Sequence, residues 1–341
     1  MSEGRVAIVE GAQSGPDGGA ESRLIPGVES RLTPGTEGHA PWVWVNGSLV
    51  RTADLRVHYF THALHYGSAV FEGIRCYETP CGPALFRLED HMRRLLASAL
   101  CYGLQVPFDT TALVAAAREV VRTNGVRNAY MRPLAFFGEG PIHLTPRDTC
   151  PTELFIAVRP LGAYLGDDGI ARGIRVAIAT WRKFDRTMLP PAVKGSGHYT
   201  NSILAAQEAA ARGAAEAILL NADGSVAEAT GENVFFVKDG VLTTNDASSN
   251  ILPGITRDSV LRLARDLGIR VAVRPFGPAE LIAADEVFLT GTAAEVTPVS
   301  AIDDRTLPER PADGITGRLQ RLYFDCVRGR APLYGEWLTH V

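Results

Sequence analysis

Ala192-Val-Lys-Gly-Ser-Gly-His-Tyr-Thr-Asn201 sets one lysine, Lys194, between small residues and two glycines, Gly195 and Gly197. The glycines let the backbone turn sharply or approach a ligand closely. The chain holds 34 lysines and arginines, and only three of them are lysines: Lys183, Lys194 and Lys238. Arginine never gives up its proton in a protein, whereas a buried or crowded lysine amine does. A rare lysine therefore marks a place where a deprotonatable amine is wanted. Lys238 precedes Asp239-Gly240 between two β-like runs and reads as part of an exposed hairpin turn. Lys183 stands among Arg182, Asp185 and Arg186 and reads as a member of a solvated charge cluster.

The surrounding chain sets limits. Its 341 residues suffice for two domains with real cores. Hydrophobic content of 46% and charged content of 21% are those of a soluble globular protein, and a net charge of −4 gives no reason to expect a nucleic acid or an anionic membrane as partner. Five cysteines without zinc-ligand spacing fit a reducing cytoplasm. No apolar run is long enough to span a bilayer, and the N-terminus lacks the pattern of a signal peptide.

Residues 1–40 are rich in Gly, Pro, Ser and Glu and carry a near-tandem octamer, Glu21-Ser-Arg-Leu-Ile-Pro-Gly-Val followed by Glu29-Ser-Arg-Leu-Thr-Pro-Gly-Thr. With few large apolar side chains, they read as a disordered extension. Folded structure begins with Trp42-Val-Trp-Val, an Asn46-Gly47 turn and a second strand to Val50. Phe71–Arg75 reads as a strand. Leu88–Leu104 reads as a helix with Met92, Leu95, Leu96 and Leu100 on its apolar side, and Thr110–Arg122 as a second helix ending near Gly125. Tyr130–Phe137 and Leu154–Val158 are strand-like, and the Gly138–Pro146 loop between them is expected to help form a substrate entrance. The spacing gives a small α+β domain over 41–160, a linker over 161–173 and a larger domain over 174–341. Mostly antiparallel sheets with packed helices fit this order better than regular βα alternation. No dinucleotide fingerprint follows any strand.

Three further segments bear chemistry. Leu252-Pro-Gly-Ile-Thr-Arg-Asp258 leads into a helix placed at Ser259–Leu267, and a helix N-terminus with a preceding glycine cradles an anion. Ordinary capping by Thr256 explains the same segment equally. Gly291-Thr-Ala-Ala-Glu295 follows a strand and offers backbone amides and a hydroxyl to a second anion, or is a plain tight turn. Glu228 and Glu232 lie four apart, either as a carboxylate for a protonated ring nitrogen or as solvated acids of a surface turn. An imine-forming amine, a phosphate cradle and a ring-nitrogen partner are together the parts that pyridoxal phosphate needs.

From Trp42 onward the chain resembles the fold-type IV (class IV) pyridoxal-phosphate aminotransferases, and within them the branched-chain amino-acid aminotransferases. The motifs that carry the resemblance are His62-Ala-Leu-His-Tyr-Gly67, Val70-Phe-Glu-Gly-Ile-Arg-Cys-Tyr77, His91-Met-Arg-Arg-Leu95, Tyr130-Met-Arg-Pro133, Gly162-Ala-Tyr-Leu-Gly166, Glu228-Ala-Thr-Gly-Glu-Asn233, Leu252-Pro-Gly-Ile-Thr-Arg-Asp258 and Gly291-Thr-Ala-Ala-Glu-Val-Thr-Pro298. The resemblance implies a two-domain α+β fold. It also implies transamination between a branched-chain L-amino acid and 2-oxoglutarate, by a homodimer or larger assembly.

By the same resemblance Lys194 forms the aldimine and moves the proton, Glu228 faces the pyridine nitrogen and Tyr199 lies beside O3′. Arg94, Ile255, Thr256 and Thr292 match phosphate contacts. Thr292 and Ala293 match the turn that receives the substrate α-carboxylate. Phe71, Tyr66, Arg132 and Tyr164 match the side-chain pocket, with Arg75 and Tyr130 close by. Aromatic walls serve an apolar substrate chain, and Arg132 with tyrosine hydroxyls serves a carboxylate. Many branched-chain enzymes carry a Trp where this chain has Leu161. An aminotransferase for an unusual amino acid, a D-amino-acid aminotransferase, the lyase that makes 4-aminobenzoate and a non-catalytic binder on the same fold are the alternative readings.

Overall fold

The computed structural model describes residues 40–341 apart from 163 and 309–312. The N-terminal extension and its repeated octamer lie outside the described residues. The first sheet is built from β1 (Trp42–Val45), β2 (Ser48–Arg51), β3 (Ala69–Phe71), β4 (Ile74–Thr79), β5 (Gly82–Phe86), β6 (Ala129–Phe137) and β7 (Thr152–Pro160), with helices α1 (His62–Tyr66), α2 (Leu88–Cys101) and α3 (Thr110–Asn124) interspersed. After α4 (Gly166–Arg172) come β8 (Ile174–Arg182), α5 (Tyr199–Ala211), β9 (Glu216–Leu220), β10 (Val226–Ala229), β11 (Asn233–Lys238) and β12 (Val241–Thr244). The chain closes with α6 (Ile255–Asp266), β13 (Arg270–Val273), α7 (Pro278–Ile282), β14 (Glu286–Gly291), β15 (Glu295–Ile302), β16 (Arg305–Thr306), α8 (Ile315–Val327) and β17 (Leu338–His340).

The first sheet runs β17-β5-β4-β6-β7-β1-β2 with β3 on β6, and every pairing in it is antiparallel. The second runs β10-β9-β8-β15-β14-β11-β12-β13 and mixes directions, with β8 parallel to both β9 and β15 and β12 parallel to β13. The final strand, β17, pairs with β5 of the first sheet.

Side-chain periodicity explains how the sheets face. In β6, Ala129, Met131, Ala135 and Phe137 are buried while Tyr130, Arg132, Leu134 and Phe136 are only partly covered. Successive strand residues point to opposite faces. Met131 therefore joins the core with Leu85, Met92, Leu95, Leu113 and Ile156, and Arg132 and Tyr130 turn to the other face. β11 is instead buried on both sides. Phe235 stacks on Phe288 under α6 and α8, and Phe236 packs on Phe276 across the sheet. Strands covered on both faces read as continuous apolar runs.

Several expectations shift. The Phe71–Arg75 strand is broken, because β3 ends at Phe71 and β4 begins at Ile74, with Glu72-Gly73 between them. The α2 stripe is Leu88, Met92, Leu95 and Ala99, and Leu100, about 100° further round, is 79% exposed. The expected linker contains a helical turn, α4. The Asn46-Gly47 and Asp239-Gly240 hairpins form with positive φ at all four positions, the geometry such turns require.

Candidate active site

Lys194 lies in the connection from β8 to α5, which is stitched onto the first sheet. Phe71 N donates to Lys194 O at 3.0 Å and Lys194 N donates to Ser98 Oγ of α2 at 3.2 Å. Val70 and Gly195 form a β-bridge, and Gly197 N donates to Gly67 O at 3.3 Å. A Cβ at Gly195 would collide with the Tyr102 hydroxyl, so the loop needs glycine there for close approach. The Lys194 side chain thus enters the seam between the sheets, where Nζ donates to Tyr199 Oη at 2.7 Å. Burial pulls the amine down, but Tyr199 and Glu72 more than offset it, and the net effect holds Lys194 above the ordinary lysine range.

Across the same cavity stands Glu228 of β10. Both it and Glu232 are buried, so they are not the solvated acids of a surface turn. Glu228 Oε2 accepts from Asn233 Nδ2 at 3.1 Å and from Leu252 N at 3.0 Å. Its Oε1 accepts from Lys183 Nζ at 2.7 Å. Lys183 is therefore no part of a solvated cluster. Its backbone N continues the β8–β9 ladder to Leu220 O, which turns its side chain inward. Asp185 and Arg186 instead serve the exterior loops, through Thr187 and through the Ser248 carbonyl.

One end of the cavity is prepared for an anion. α6 begins at Ile255, four residues earlier than its spacing suggested, with Gly254 at the cap and no side chain closing it. Thr256 sits buried inside the first turn and is not the cap. A Cβ at Gly254 would collide with Asn233 Oδ1, so glycine also keeps this backbone close to the cavity. An uncapped helix end presents free N–H groups and the positive pole of the dipole. Arg94 adds a full charge beside it, with Nη1 donating to Pro253 O at 2.9 Å. Glu72 fixes Arg94 by a two-pronged pair, Nε to Oε1 at 2.5 Å and Nη2 to Oε2 at 2.9 Å, and takes His91 Nδ1 at 2.7 Å. Burial alone would raise Glu72, but Arg94 and His91 overcome it and hold the carboxyl far below the usual range.

This narrow cavity is lined by Arg94, Lys183, Lys194, Tyr199, Glu228, Ile255, Thr256 and Thr292 among others. Lys194, Tyr199, Glu232 and Thr292 also border a cleft of about 890 Å³ that continues outward past Phe71, Tyr130, Arg132, Leu161, Tyr164 and Ala293. The Arg132 guanidinium lies 4.3 Å from the Phe71 ring centroid and donates to Tyr130 Oη at 3.0 Å. Arg75 is set back from the cleft, buried, and holds the Gly162 carbonyl at 2.9 Å. Glu232 is pushed well above the ordinary carboxyl value by burial and by neighbouring Glu216.

The structure therefore brings together eleven of the twelve site residues expected from sequence: Arg94, Lys194, Tyr199, Glu228, Ile255, Thr256, Thr292, Phe71, Arg132, Tyr164 and Ala293. Tyr66 is not among them. It is 41% exposed, packs on His62 and borders neither cavity of this chain. The Gly138–Pro146 loop likewise lies elsewhere, anchored where His62 Nε2 meets the His143 carbonyl at 2.8 Å. Sequence reasoning missed Lys183 and Glu72 as members of the site. The scarcity of lysine that singled out Lys194 applied equally to Lys183 and was the available signal.

The pattern of the amino-transferase class IV family matches residues 69–302. A branched-chain-amino-acid aminotransferase of Escherichia coli (strain K12) is 41% identical over 302 residues, covering 89% of this chain and 98% of that protein. Among solved structures, the T.th. branched-chain amino acid aminotransferase with pyridoxamine 5′-phosphate aligns with a TM-score of 0.85 and 46% identity, over 88% of this chain and 98% of that one. The same enzyme complexed with N-(5′-phosphopyridoxyl)-L-glutamate aligns with a TM-score of 0.83 and 44% identity over the same shares.

Electrostatics at the seam give a pH signature. Burial and the nearby Lys183 charge push His198 down from its ordinary 6.5 to about 4. In that window the unfolded chain takes up a proton that the native protein refuses, so stability falls as pH falls. Buried His91, also lowered, adds to the same slope, and Glu72 extends it below its ordinary 4.5. The thermal midpoint of wild type should drop more steeply between pH 6.5 and 4 than that of His198→Gln; parallel profiles would contradict the assignment.

Proposed function

The chain belongs to the class IV aminotransferases, and from that premise we propose that it transfers an amino group between a branched-chain L-amino acid and 2-oxoglutarate. The observation that carries the reading is one continuous space. In it meet the Lys194 amine, the buried Glu228 carboxylate, an uncapped helix end with Arg94 beside it, and Arg132 further out. Class IV aminotransferases use pyridoxal phosphate, and this set of donors fits it. Thr290 Oγ1 in the same cavity is buried without a partner among the described residues, as expected of a site shaped around a polar guest. The T.th. relative is known with pyridoxamine phosphate and with a phosphopyridoxyl glutamate, which supports both the cofactor and glutamate as one substrate.

Bound pyridoxal phosphate supplies an aldehyde carbon to carry nitrogen and a ring to accept electrons. The protein supplies everything else. The N–H groups of the first turn of α6, with Arg94, Thr256 and Thr292, would hold its phosphate. Glu228 would keep a proton at the ring nitrogen. Tyr199 Oη orients Lys194 Nζ, and with the cofactor bound the uncharged Lys194 amine would take the proton from the substrate α-carbon and later return it. Amides of the Thr292-Ala293 turn orient the α-carboxylate. The walls of Phe71, Leu161 and Tyr164 receive an apolar chain, and Arg132 with the Tyr130 hydroxyl receives the side-chain carboxylate of glutamate. One pocket thus takes both substrates in turn, releasing a 2-oxo acid and then L-glutamate.

A homodimer completes the reading, in a cytoplasmic setting. Val57, Tyr59, Phe60, Leu64, Tyr66, Ile142 and Leu144 are all at least 40% exposed around α1 and the Gly138–Pro146 loop. Beneath Val57 and His58 runs a groove of about 380 Å³ reaching Gly138 and Phe155. Apolar patches of this kind are covered in a symmetric assembly. Tyr66 and the loop, unused in their own chain, then lie where a second copy can employ them. Size-exclusion chromatography with light scattering should give twice the chain mass, and a monomer at micromolar concentration would remove this part of the reading.

Lys194→Ala should lose the yellow absorbance and all but a trace of turnover. Borohydride treatment of wild type followed by peptide mapping should find a pyridoxyl adduct on Lys194, and its absence there sinks the proposal. In a panel of amino donors, wild type should use L-leucine and L-glutamate and ignore D-alanine. Arg132→Met should raise KM for L-glutamate and 2-oxoglutarate about 10–100-fold, the worth of one charge-assisted contact, while leaving L-leucine nearly unchanged. Equal losses for both substrates would remove Arg132 from that role.

A further inference from the structure

Lys183 has a place in the site but, so far, no task. Its ammonium and Glu228 face each other at 2.7 Å, with both side chains less than a tenth exposed. The Lys183 position is set by the β8–β9 ladder on its backbone and by the Phe184 ring, 4.3 Å from Nζ. The other Glu228 oxygen is filled by the Asn233 amide and the Leu252 N–H. An ionised carboxylate offers about four lone-pair sites, so three donors leave roughly one, on Oε1, for an N–H arriving from the cavity. Nearby His198 is held neutral by burial and by Lys183, so it adds no second positive charge there.

We propose that Lys183 is a positioning residue that keeps Glu228 anionic and so places the proton between Glu228 and the cofactor ring on the nitrogen. The inference rests on the reading of Glu228 as the ring-nitrogen partner. A carboxylate and a pyridine can share one proton as O⁻···H–N⁺ or as O–H···N. In a cavity shielded from water the neutral arrangement gains, because separated charges lose solvation. An ammonium touching the carboxylate reverses that preference. It attracts the adjacent oxygen more strongly than it repels the nitrogen beyond, and at short range in a low dielectric this difference is large. The Asn233 and Leu252 donors act in the same sense but are neutral, and charge-assisted bonds are roughly twice as strong. A protonated ring nitrogen is the better electron acceptor, so Lys183 acts on the reaction without touching substrate or ring.

The test uses holoenzyme loaded with pyridoxal phosphate labelled with nitrogen-15 in the ring. Wild type should show the protonated nitrogen shift. Lys183→Gln, which keeps an uncharged donor to Oε1 and therefore the fold, should move the signal to the unprotonated position. Its kcat should fall about a hundredfold, the scale of losing one electrostatic stabiliser, with a much smaller change in KM. Lys183→Arg should restore both the shift and the rate. A protonated signal retained in Lys183→Gln, or no recovery in Lys183→Arg, overturns the proposal. Borohydride trapping on the same samples separates the two levels. An adduct at Lys194 with an unmoved nitrogen signal overturns only the Lys183 role, and no adduct in wild type overturns both.

Discussion

Glu228 and Lys183 meet at 2.7 Å inside the second sheet, and Glu72 holds Arg94 and His91 inside the first. Taking such charges out of water is expensive, and removing one partner of a buried pair costs about 3–5 kcal/mol because the other is left uncompensated. Each charged side chain at the seam is therefore confined to the position where its partner waits. The cavity inherits its geometry from that constraint. Arg94 cannot wander from the α6 end without abandoning Glu72, and Glu228 cannot rotate away without stranding Lys183.

Pairing also sets which groups carry charge. Glu72 and Arg94 stay ionised because they neutralise each other, whereas burial next to Glu216 pushes the Glu232 carboxyl up. His198 is neutral because burial and Lys183 oppose its protonation, and its Nε2 lies 2.8 Å from Tyr102 Oη. The cavity therefore offers different local fields along its length, already in place without a guest.

The two sheets contribute unlike parts to this arrangement. The second supplies Glu228, the Thr292 turn and the helix end, all at the ends of strands or helices where backbone N–H groups are free. The first supplies Arg132 and Tyr130 from the face of β6 opposite its helical core, and Arg94 from α2. Lys194 joins them only because its loop is bonded to β3 and to Gly67. A slip of one residue in β6 would send Arg132 into the core and Met131 into the cleft. The lining of the cleft is therefore tied to the register that fixes the fold.

Much of this was legible in the residues themselves. Hairpins at Asn46-Gly47 and Asp239-Gly240 are dictated by local chemistry, since few residues accept positive φ. The apolar periods of α2 and α3 and the alternation of β6 are equally local, and the motifs around Lys194, Glu228 and Gly254 named most of the cavity lining. What the sequence could not convey was which charges would be buried together. Lys183 looked like one more member of a surface cluster because Asp185 and Arg186 are its neighbours along the chain. Its actual partner is 45 residues away on another strand. Glu72 and Arg94, 22 residues apart, meet for the same reason, while Tyr66, embedded in a matching motif, stays outside. Backbone propensity and hydrophobic period act over a few residues, so composition and order determined the elements and the lysine at their centre. Desolvation acts through space, so only the packed sheets decided which side chains lost water and had to find each other.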